Sequence, residues 1–310
     1  MKMGSAVSLV HSDFSEKEIE DSIAKALDLI GFKPKSPLKS VIIKVNLCYY
    51  WQATTGCTTD TRVTAGIIDY VRERYGMDTN IQIAEADATA MRTKYAFLTL
   101  GYEKLAKEKN VKLFNLSNDI LETKTVQVNQ HTITFKVPQS LLKTDLFVNV
   151  PKLKLMRATC ISCALKNVFG CIGSPRKIVY HSLLNQAIVG INKILRPHVT
   201  IVDGLVGLGR FPAKLGLIMA STDPFSIDWV ASEIMGYNPS KIGFLKVAIK
   251  EKLGDPNGVT TYGEPLIKFK RSFPKESFFY RKWTQDVQFK LLKLYGKIVG
   301  DVIPPFLEGV

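Results

Sequence analysis

The sequence lacks the long apolar segments that mark a membrane protein or a secretory leader. No run of about 18 apolar residues occurs, so no segment predicts a membrane-spanning helix. The first residues have no apolar core followed by a small-residue cleavage site, which a secretory signal requires. We therefore expect a cytoplasmic protein, with reduced thiols or a metal site rather than a disulfide framework.

Several sequence signatures of known chemistry are also absent. There is no P-loop lysine motif, no G-x-S-x-G elbow and no H-E-x-x-H zinc motif. The glycines of Gly204-x2-Gly207-x-Gly209 do not match the dinucleotide fingerprint, and no acidic residue ends the next strand. We interpret this segment as a tight turn that could touch a ligand.

The charge of the chain is strongly positive. It has 42 lysines and arginines against 28 acidic residues, a net charge of +14. Such a charge fits nucleic acid, an anionic membrane surface, an anionic small substrate or simply a lysine-rich surface. The basic residues form no long run, and no zinc finger, RNA-binding aromatic signature or basic zipper is present. Nucleic acid is therefore not an expected partner.

Strand and helix patterns alternate along the chain. Val41–Val45 is a short β-branched run typical of a buried strand, and Thr61–Tyr75 places Val63, Ile67 and Val71 on one helical face. The predicted strands are 5–10, 41–45, 81–84, 111–116, 146–150, 199–202 and 217–220, with a hairpin over 125–128 and 132–137. The predicted helices are 14–30, 61–75, 93–109 with a break at Gly101, 164–169, 181–195, 223–235 and 239–252.

This alternation predicts an α/β fold, Rossmann-like, in which helices cover both faces of a mostly parallel sheet. A long loop is expected after Pro151. No linker divides the chain before about Gly263, so we predict an α/β domain over residues 1–263 and a basic, aromatic tail over residues 264–310. The tail has apolar residues at helical spacing from Phe279 to Ile298. This amphipathic helix could pack on the core, lie on an anionic membrane surface or bind a partner.

Polar residues follow the predicted strands at the point where each strand ends. Ligands of parallel sheets bind beyond the carboxyl ends of the strands, so these residues would share one edge. Binding of an anionic phosphate or carboxylate group is assigned to Asn46, Thr59, Arg62, Lys152, Lys154, Asn167 and Asp203. His181 or Glu85 would move a proton, and Lys166 could form a covalent bond to a ligand. Solvated lysines, a structural histidine and a solvated acidic loop are the alternative interpretations.

All five cysteines fall on two of these loops. Cys160-x2-Cys163-x7-Cys171 puts three thiols within twelve residues, and Cys48 and Cys57 could add to them. Thiolates at such spacing can hold zinc or an iron–sulfur cluster. A single C-x-x-C is a weak motif, however, and free cysteine is also a common buried residue. Structural cysteines and redox thiols therefore remain open beside a metal site.

Five segments of the chain resemble, in order, the family called domain of unknown function 362. They are VIIKVNL, TTDTRVTAGIIDYVRERYG, VNVPKLKLMRATCISCALKNVFGCIG, IVDGLVGLG and ASTDPFSIDWVASEIMG, and the resemblance spans residues 5–255. Some members are fused to ferredoxin-type iron–sulfur modules, which implies redox chemistry and a ferredoxin-like electron carrier as a partner. This chain has no such module. It has Leu155 and Met156 where the family usually has a histidine, and Cys160 and Cys163 where the family has Thr-Gly.

The chain is also distantly similar to the nickel-pincer lactate racemases. The shared features are a Thr-Arg segment that opens a helix, an acidic strand end, and a lysine loop followed by a histidine. Here they correspond to Thr61, Arg62, Glu85, Lys166 and His181. In that family the lysine carries the cofactor. The two resemblances favour an oxidoreductase or an isomerase.

Together these observations predict an enzyme that acts on an anionic small molecule at the carboxyl ends of the strands. One alternative is a redox protein that binds an iron–sulfur cluster through its cysteines. The other alternative is a protein that contacts a membrane surface or a partner through the basic C-terminal helix.

Overall fold

The computed structural model describes residues 5–89 and 91–275. The strands are β1 (Ser5–His11), β2 (Ser40–Lys44), β3 (Asn80–Glu85), β4 (Lys112–Asn115), β5 (Leu121–Val128), β6 (His131–Pro138), β7 (Leu146–Asn149), β8 (Lys152–Met156), β9 (Cys160–Ser162), β10 (Val199–Leu208), β11 (Pro212–Ser221) and β12 (Val259–Gly263). The α-helices are α1 (Glu16–Leu29), α2 (Thr61–Tyr75), α3 (Thr93–Thr99), α4 (Tyr102–Glu108), α5 (Gln139–Lys143), α6 (Ala164–Phe169), α7 (Leu184–Ile194), α8 (Pro224–Ile234), α9 (Gly243–Lys250) and α10 (Leu266–Ser272). None of these helices is long and apolar enough to span a membrane.

Most strands of the described chain join one large sheet. The strand order is β12-β1-β11-β10-β7-β2-β3-β4, and β8 pairs with β10 and with β9. The pairs from β10 through β7, β2 and β3 to β4 are all parallel, as are β8 with β10 and β1 with β12. Strand β11 is antiparallel to both of its neighbours. The predicted mostly parallel sheet is therefore confirmed, and β5 and β6 form the predicted hairpin.

Both faces of this sheet are buried. Along β2, Ile42 enters one apolar layer while Val41 and Ile43 enter the other, because successive side chains of a strand alternate. Ile43 lies in register between Val148 of β7 and Ile83 of β3. Helices α1 to α4 contribute to one layer, and α6 to α9 contribute to the other. Burial on both sides explains why the central strands are continuous apolar runs.

Polar side chains cap the principal helices. Ser15 caps α1, Asp60 caps α2 and Asp223 caps α8, each accepting a hydrogen bond from a backbone N–H of the first turn. These bonds satisfy donors that have no partner within the helix. Pro224, which has no N–H to leave unsatisfied, is the first residue of α8. These three helices begin within two residues of their predicted positions, whereas α7 and α9 begin three and four residues later than predicted.

The segment after Pro151 differs from the prediction of a long loop. It forms β8 and β9, an antiparallel pair at the side of β10. Proline interrupts the pairing because it has no N–H, but its carbonyl accepts the N–H of Asp203 at 2.9 Å. The chain therefore rejoins the sheet at once. The alternation of Lys152, Leu153 and Lys154 is the strand pattern that the proline obscured.

The tight turn predicted for the glycines after Asp203 is wrong for Gly204 and Gly207, whereas Gly209 does lie in the bend between β10 and β11. Gly204 and Gly207 lie inside β10, which continues to Leu208 and pairs with β11. A Cβ atom at Gly204 would lie 2.9 Å from the carbonyl oxygen of Leu217. The glycine therefore allows the two strands to approach closely where their register shifts.

Strand β12 and helix α10 pack as parts of the same α/β unit. β12 adds a parallel edge strand beside β1, and Phe269 and Phe273 are buried in the layer that contains α8. The predicted boundary between residues 263 and 264 falls between β12 and α10, and it stays a prediction. The predicted helix from Phe279 to Ile298 lies outside the described residues.

A buried ion pair joins β8 to β10. Nζ of Lys152 lies 2.8 Å from Oδ1 of Asp203, and neither side chain is exposed. The contact is an ion pair without an aligned hydrogen bond. Asp203 also accepts the N–H of Asp60 at 2.7 Å and the N–H of Leu205 at 3.1 Å. One carboxylate therefore holds two strands and the cap of α2 together, and the N–H donors offset part of its desolvation.

Removal of this carboxylate should be strongly destabilising. Asp203→Ala is expected to lower the free energy of unfolding by about 3–5 kcal/mol, because it leaves Lys152 buried without a counter-charge. As a control, Asp21→Ala removes the exposed pair between Lys17 and Asp21 and should cost at most about 1 kcal/mol. Urea denaturation measures both values. Equal losses in the two variants would contradict the structural role of the buried pair.

Candidate functional site

The parallel strands β2, β3 and β7 end side by side in polar residues. Their last residues are Lys44, Glu85 and Asn149, and the register pairs Lys44 with Asn149. We call this region the carboxyl edge. Parallel strands bring residues that are distant in sequence to a common edge, where ligands of open α/β sheets bind. The short helix α6 contacts this edge through the bond from Nδ2 of Asn149 to the carbonyl of Ala164, at 3.2 Å.

The centre of the carboxyl edge is a buried ion pair. Nζ of Lys44 lies 2.7 Å from Oε1 of Glu85, and their side chains are 0% and 6% exposed. Glu85 also accepts the backbone N–H groups of Leu47 at 2.8 Å and of Ala86 at 2.9 Å. Lys44 donates in addition to the carbonyl of Val45 at 2.6 Å. Both oxygens of Glu85 are therefore engaged, and the carboxylate fixes the start of the loops after β2 and β3.

Three asparagines extend this pair into a network. Oδ1 of Asn167, on α6, accepts Nζ of Lys44 at 3.2 Å and Nδ2 of Asn46 at 2.9 Å. Its Nδ2 donates to Oδ1 of Asn149 at 2.9 Å. Nδ2 of Asn149 donates to Oγ1 of Thr200 at 3.2 Å. The amide of Asn167 therefore links α6 to two strands, and it orients the side chain of Asn46.

Lys154 extends from β8 toward the same asparagine. Its Nζ lies 2.5 Å from Oδ1 of Asn46, 2.8 Å from Sγ of Cys48 and 2.6 Å from the carbonyl of Cys57. Sγ of Cys48 also donates to that carbonyl, at 3.6 Å. None of the groups that contact the Lys154 ammonium is a carboxylate. Its positive charge is thus met by an amide, a carbonyl and a sulfur atom.

Lys166 lies on α6, next to Asn167, and is partly exposed. Its Nζ lies 6.0 Å from the ring centre of Phe169, and no described residue accepts a hydrogen bond from it. Burial lowers the pKa of Lys166 to about 8, and the charges of Lys154 and Lys44 act in the same direction, against a smaller opposite effect of Cys48. A substantial fraction of this amine is therefore neutral near pH 8.

His181 lies at the rim of this region, in the 3-10 segment Lys177–Leu183, and is exposed. Partial burial and the charge of Lys166 both lower the pKa of its imidazole. The histidine is therefore mainly neutral at physiological pH and lies within the electrostatic range of Lys166.

Two lysines of the site were not predicted from the sequence. Lys44 lies inside the predicted strand Val41–Val45, and its position two residues before Asn46 was the available signal. Lys177 is 7% exposed and donates from Nζ to the carbonyl of Asp87 at 2.5 Å. Burial lowers the pKa of Lys177 to about 8. Nothing in the local sequence marks it, because a 3-10 segment has no helical or strand periodicity.

Other predicted binding residues support the framework. Oγ1 of Thr59 accepts the N–H of Asn46 at 2.9 Å and donates to the carbonyl of Val150 at 3.0 Å. Arg62 is held at the side of α1 by Asp60, at 2.8 Å, and by the carbonyl of Phe14. Lys152 and Asp203 are the fully buried pair between β8 and β10. The structure thus brings Asn46, Lys154, Lys166, Asn167 and Glu85 together, with His181 at the rim.

The five cysteines are not gathered into a metal site. Cys48 and Cys57 lie beside Lys154, whereas Cys163 and Cys171 are buried, and Cys160 is in β9. Burial raises the pKa of Cys171 to about 12 and that of Cys163 well above its ordinary value, so both thiols stay protonated. Within residues 5–89 and 91–275, no group of three His, Cys, Asp or Glu side chains could hold a metal ion.

Asp228 of α8 binds the first residues of α6. Its carboxylate accepts the N–H of Ala164 at 2.7 Å and the N–H of Leu165 at 2.9 Å, and it is fully buried. Burial raises the pKa of Asp228 to about 7, although these hydrogen bonds oppose the shift. The position of Lys166 therefore depends on a carboxyl group from a distant helix.

The sequence model of the family described as Domain of unknown function (DUF362) matches residues 41–233. The matched segment begins in β2 and ends in α8. It contains the ion pair, the three asparagines, Lys154, Lys166 and His181. All the site residues described above therefore lie inside the part of the chain that matches.

Two individual proteins are also similar to this chain. The thylakoid-associated protein sll1697 of Synechocystis sp. is 24% identical over 234 residues, which cover 70% of this chain and 69% of that protein. The lactate racemase apoprotein of Thermoanaerobacterium thermosaccharolyticum matches 67% of this chain with 15% identity and a TM-score of 0.36. The match covers 51% of the racemase, about half of its length. The distant likeness to lactate racemases is confirmed, but at this TM-score it carries no argument about function.

The raised pKa of Asp228 predicts a pH-dependent stability that Asp228→Asn should remove. The folded state keeps a proton that the unfolded state, with an ordinary pKa of 3.8, releases. The contribution of this carboxyl is therefore complete below about pH 4 and is lost as the pH rises through about 7. In urea denaturation from pH 4 to 8, the wild type should lose stability relative to the variant as the pH rises. Parallel curves for the two proteins would contradict the assignment.

Proposed function

The chain belongs to the DUF362 family, and we propose that it is an enzyme that binds an anionic small molecule at the carboxyl edge. The ligand would carry a phosphate or a carboxylate group. The position supports this proposal, because the carboxyl ends of parallel strands are where open α/β sheets bind their ligands.

The observation that carries the proposal is an excess of lysine charge. Glu85 is the carboxylate that pairs with Lys44, and its remaining hydrogen bonds go to backbone N–H groups. Lys177 donates to a backbone carbonyl, and the carboxylates of Glu85 and Asp87 lie within its electrostatic range. In contrast, Lys154 contacts neutral acceptors and a thiol, and Lys166 has no acceptor among the described residues. Ammonium groups held in a partly desolvated region without counter-charges attract an anion strongly.

The residues of the edge would take different roles. Lys154 and Lys166 would contact the anion, and the amide of Asn46, fixed by Asn167, would orient it. His181 would carry a proton at the rim, since its lowered pKa leaves it neutral and able to accept one. Both oxygens of Glu85 are occupied, so its role would be to hold Lys44 rather than to transfer protons.

Replacement of Lys154 should weaken anion binding. Lys154→Met keeps the length of the side chain but removes the charge. The affinity for pyrophosphate or oxalate should fall by about 10- to 100-fold, since a hydrogen bond to a charged group contributes roughly 1.5–3 kcal/mol. Isothermal titration calorimetry measures this affinity.

The matched control is Lys104→Met, which removes the same charge from a side chain that is 81% exposed. The affinity of this control variant for pyrophosphate and oxalate should stay within about twofold of the wild-type value, because an exposed charge is screened by salt. Equal affinities in Lys154→Met and the wild type, or no saturable binding of either anion, would refute the proposed site.

A second function is favoured by the tail and by one relative. Residues 266–310 contain nine lysines and arginines against four acidic residues, and sll1697 is named as thylakoid-associated. We propose that the tail brings the protein to an anionic membrane surface. This proposal is compatible with the first, since the carboxyl edge and the tail are different parts of the chain. The alternative of an iron–sulfur redox protein with a ferredoxin-like partner has no support from the described cysteines.

The membrane proposal predicts a charge-dependent affinity for vesicles. The full-length variant replaces with glutamine the three lysines Lys290, Lys293 and Lys297. Its binding to vesicles containing phosphatidylglycerol should weaken by about 100-fold, since each lysine near such a surface contributes about 1 kcal/mol. The control variant makes the same change in charge at the exposed lysines Lys104, Lys241 and Lys250. Equal loss in the two variants, measured by vesicle co-sedimentation, would argue against the tail.

A further inference from the structure

Lys166 differs from the other lysines of the carboxyl edge in its contacts. Lys44 has a carboxylate, Lys154 has three polar contacts and Lys177 has a backbone carbonyl. Among the described residues, Lys166 contacts the ring of Phe169 at 6.0 Å, and the residue is partly exposed. No described group accepts a hydrogen bond from its amine.

We propose that Lys166 forms an imine with the carbonyl carbon of an oxo acid or another carbonyl compound that carries an anionic group. This inference rests on the proposed function, because the anionic group would bind at Lys154. The geometry favours Lys166 because it lies on α6 next to Asn167, whose amide is bonded to Asn46, and Asn46 in turn contacts Lys154. Lys154 also lies within the electrostatic range of the Lys166 amine, so the edge holds an anion-binding ammonium near an amine that no described residue binds.

The electrostatics of the site support a nucleophilic amine. Burial and the charges of Lys154 and Lys44 lower the pKa of Lys166 to about 8. Lysines activated in this way, by desolvation or by a neighbouring cation, form imines with carbonyl substrates. The charged and titratable groups that act on Lys166 are Lys154, Cys48 and Lys44, and Lys166 in turn acts on His181 at the rim.

The bond-forming step balances with groups that are present. The neutral Nζ of Lys166 attacks the carbonyl carbon, and the carbonyl oxygen takes up a proton to give a carbinolamine. Neutral His181 accepts the proton that the attacking nitrogen loses as the carbinolamine forms, and it then returns this proton to the hydroxyl group, which leaves as water. The nitrogen lone pair forms the C=N bond, and the iminium carries the positive charge. No oxidant or reductant is consumed.

Reductive trapping tests this inference on the full-length protein. The probes are glyoxylate, pyruvate and 2-oxoglutarate, together with pyridoxal phosphate as a phosphate-bearing aldehyde. Each is mixed with the protein and treated with sodium borohydride, which reduces an imine to a stable secondary amine. Peptide mass spectrometry should find the adduct of at least one probe predominantly on Lys166, and its yield should rise as the pH increases through about 8.

Two variants and a parallel binding measurement separate this inference from the proposed function. Lys166→Arg keeps the positive charge but cannot form an imine, so it should lose the adduct. Binding of pyrophosphate is measured in parallel on the unchanged protein. Lys104→Arg makes the same change at an exposed site and should keep the adduct on Lys166.

Three results would overturn the imine. The first is saturable binding of the probes with no adduct. The second is an adduct spread equally over exposed lysines. The third is the absence of saturable binding of any anion, which would remove the proposed function as well.

Discussion

The buried ion pair between Lys44 and Glu85 sets the geometry of the carboxyl edge. Two charges removed from water are stable only when further hydrogen bonds satisfy them. Here the backbone N–H groups of Leu47 and Ala86 and the carbonyl of Val45 supply those bonds, so the pair fixes the start of the loops after β2 and β3. Because Glu85 is engaged in this way, the charges of Lys154 and Lys166 are left for a ligand.

Helix α6 is held in position by contacts with the carboxyl edge and with α8. Asn167 ties it to β2 and β7, and Asp228 holds its first N–H groups. A helix of six residues has little stability by itself, so these tertiary contacts determine where Lys166 lies. The same contacts place its amine beside other cations, and this placement lowers the pKa of Lys166.

The sequence was sufficient for most of the elements but not for the path between β7 and α6. Periodicity predicted the central strands and the helices from α1 to α4, including the break at Gly101, which has φ +81°. Pro151 hid β8, because a proline normally ends a strand, and the glycines of β10 suggested a turn where they instead permit close strand packing. In both places the expectation from local sequence was wrong because pairing with a distant segment determines the backbone conformation.

The α/β class, the parallel core of the sheet and the convergence of polar residues at one edge could be predicted from the amino-acid pattern, because they follow from short-range periodicity and the geometry of parallel strands. Which of those residues are already paired depends on the three-dimensional fold. Lys152 and Lys154 are two residues apart, yet the first is neutralised by Asp203 and the second contacts Asn46, 108 positions away in the chain. Partners at such separations are set by how the strands assemble, which no local pattern records.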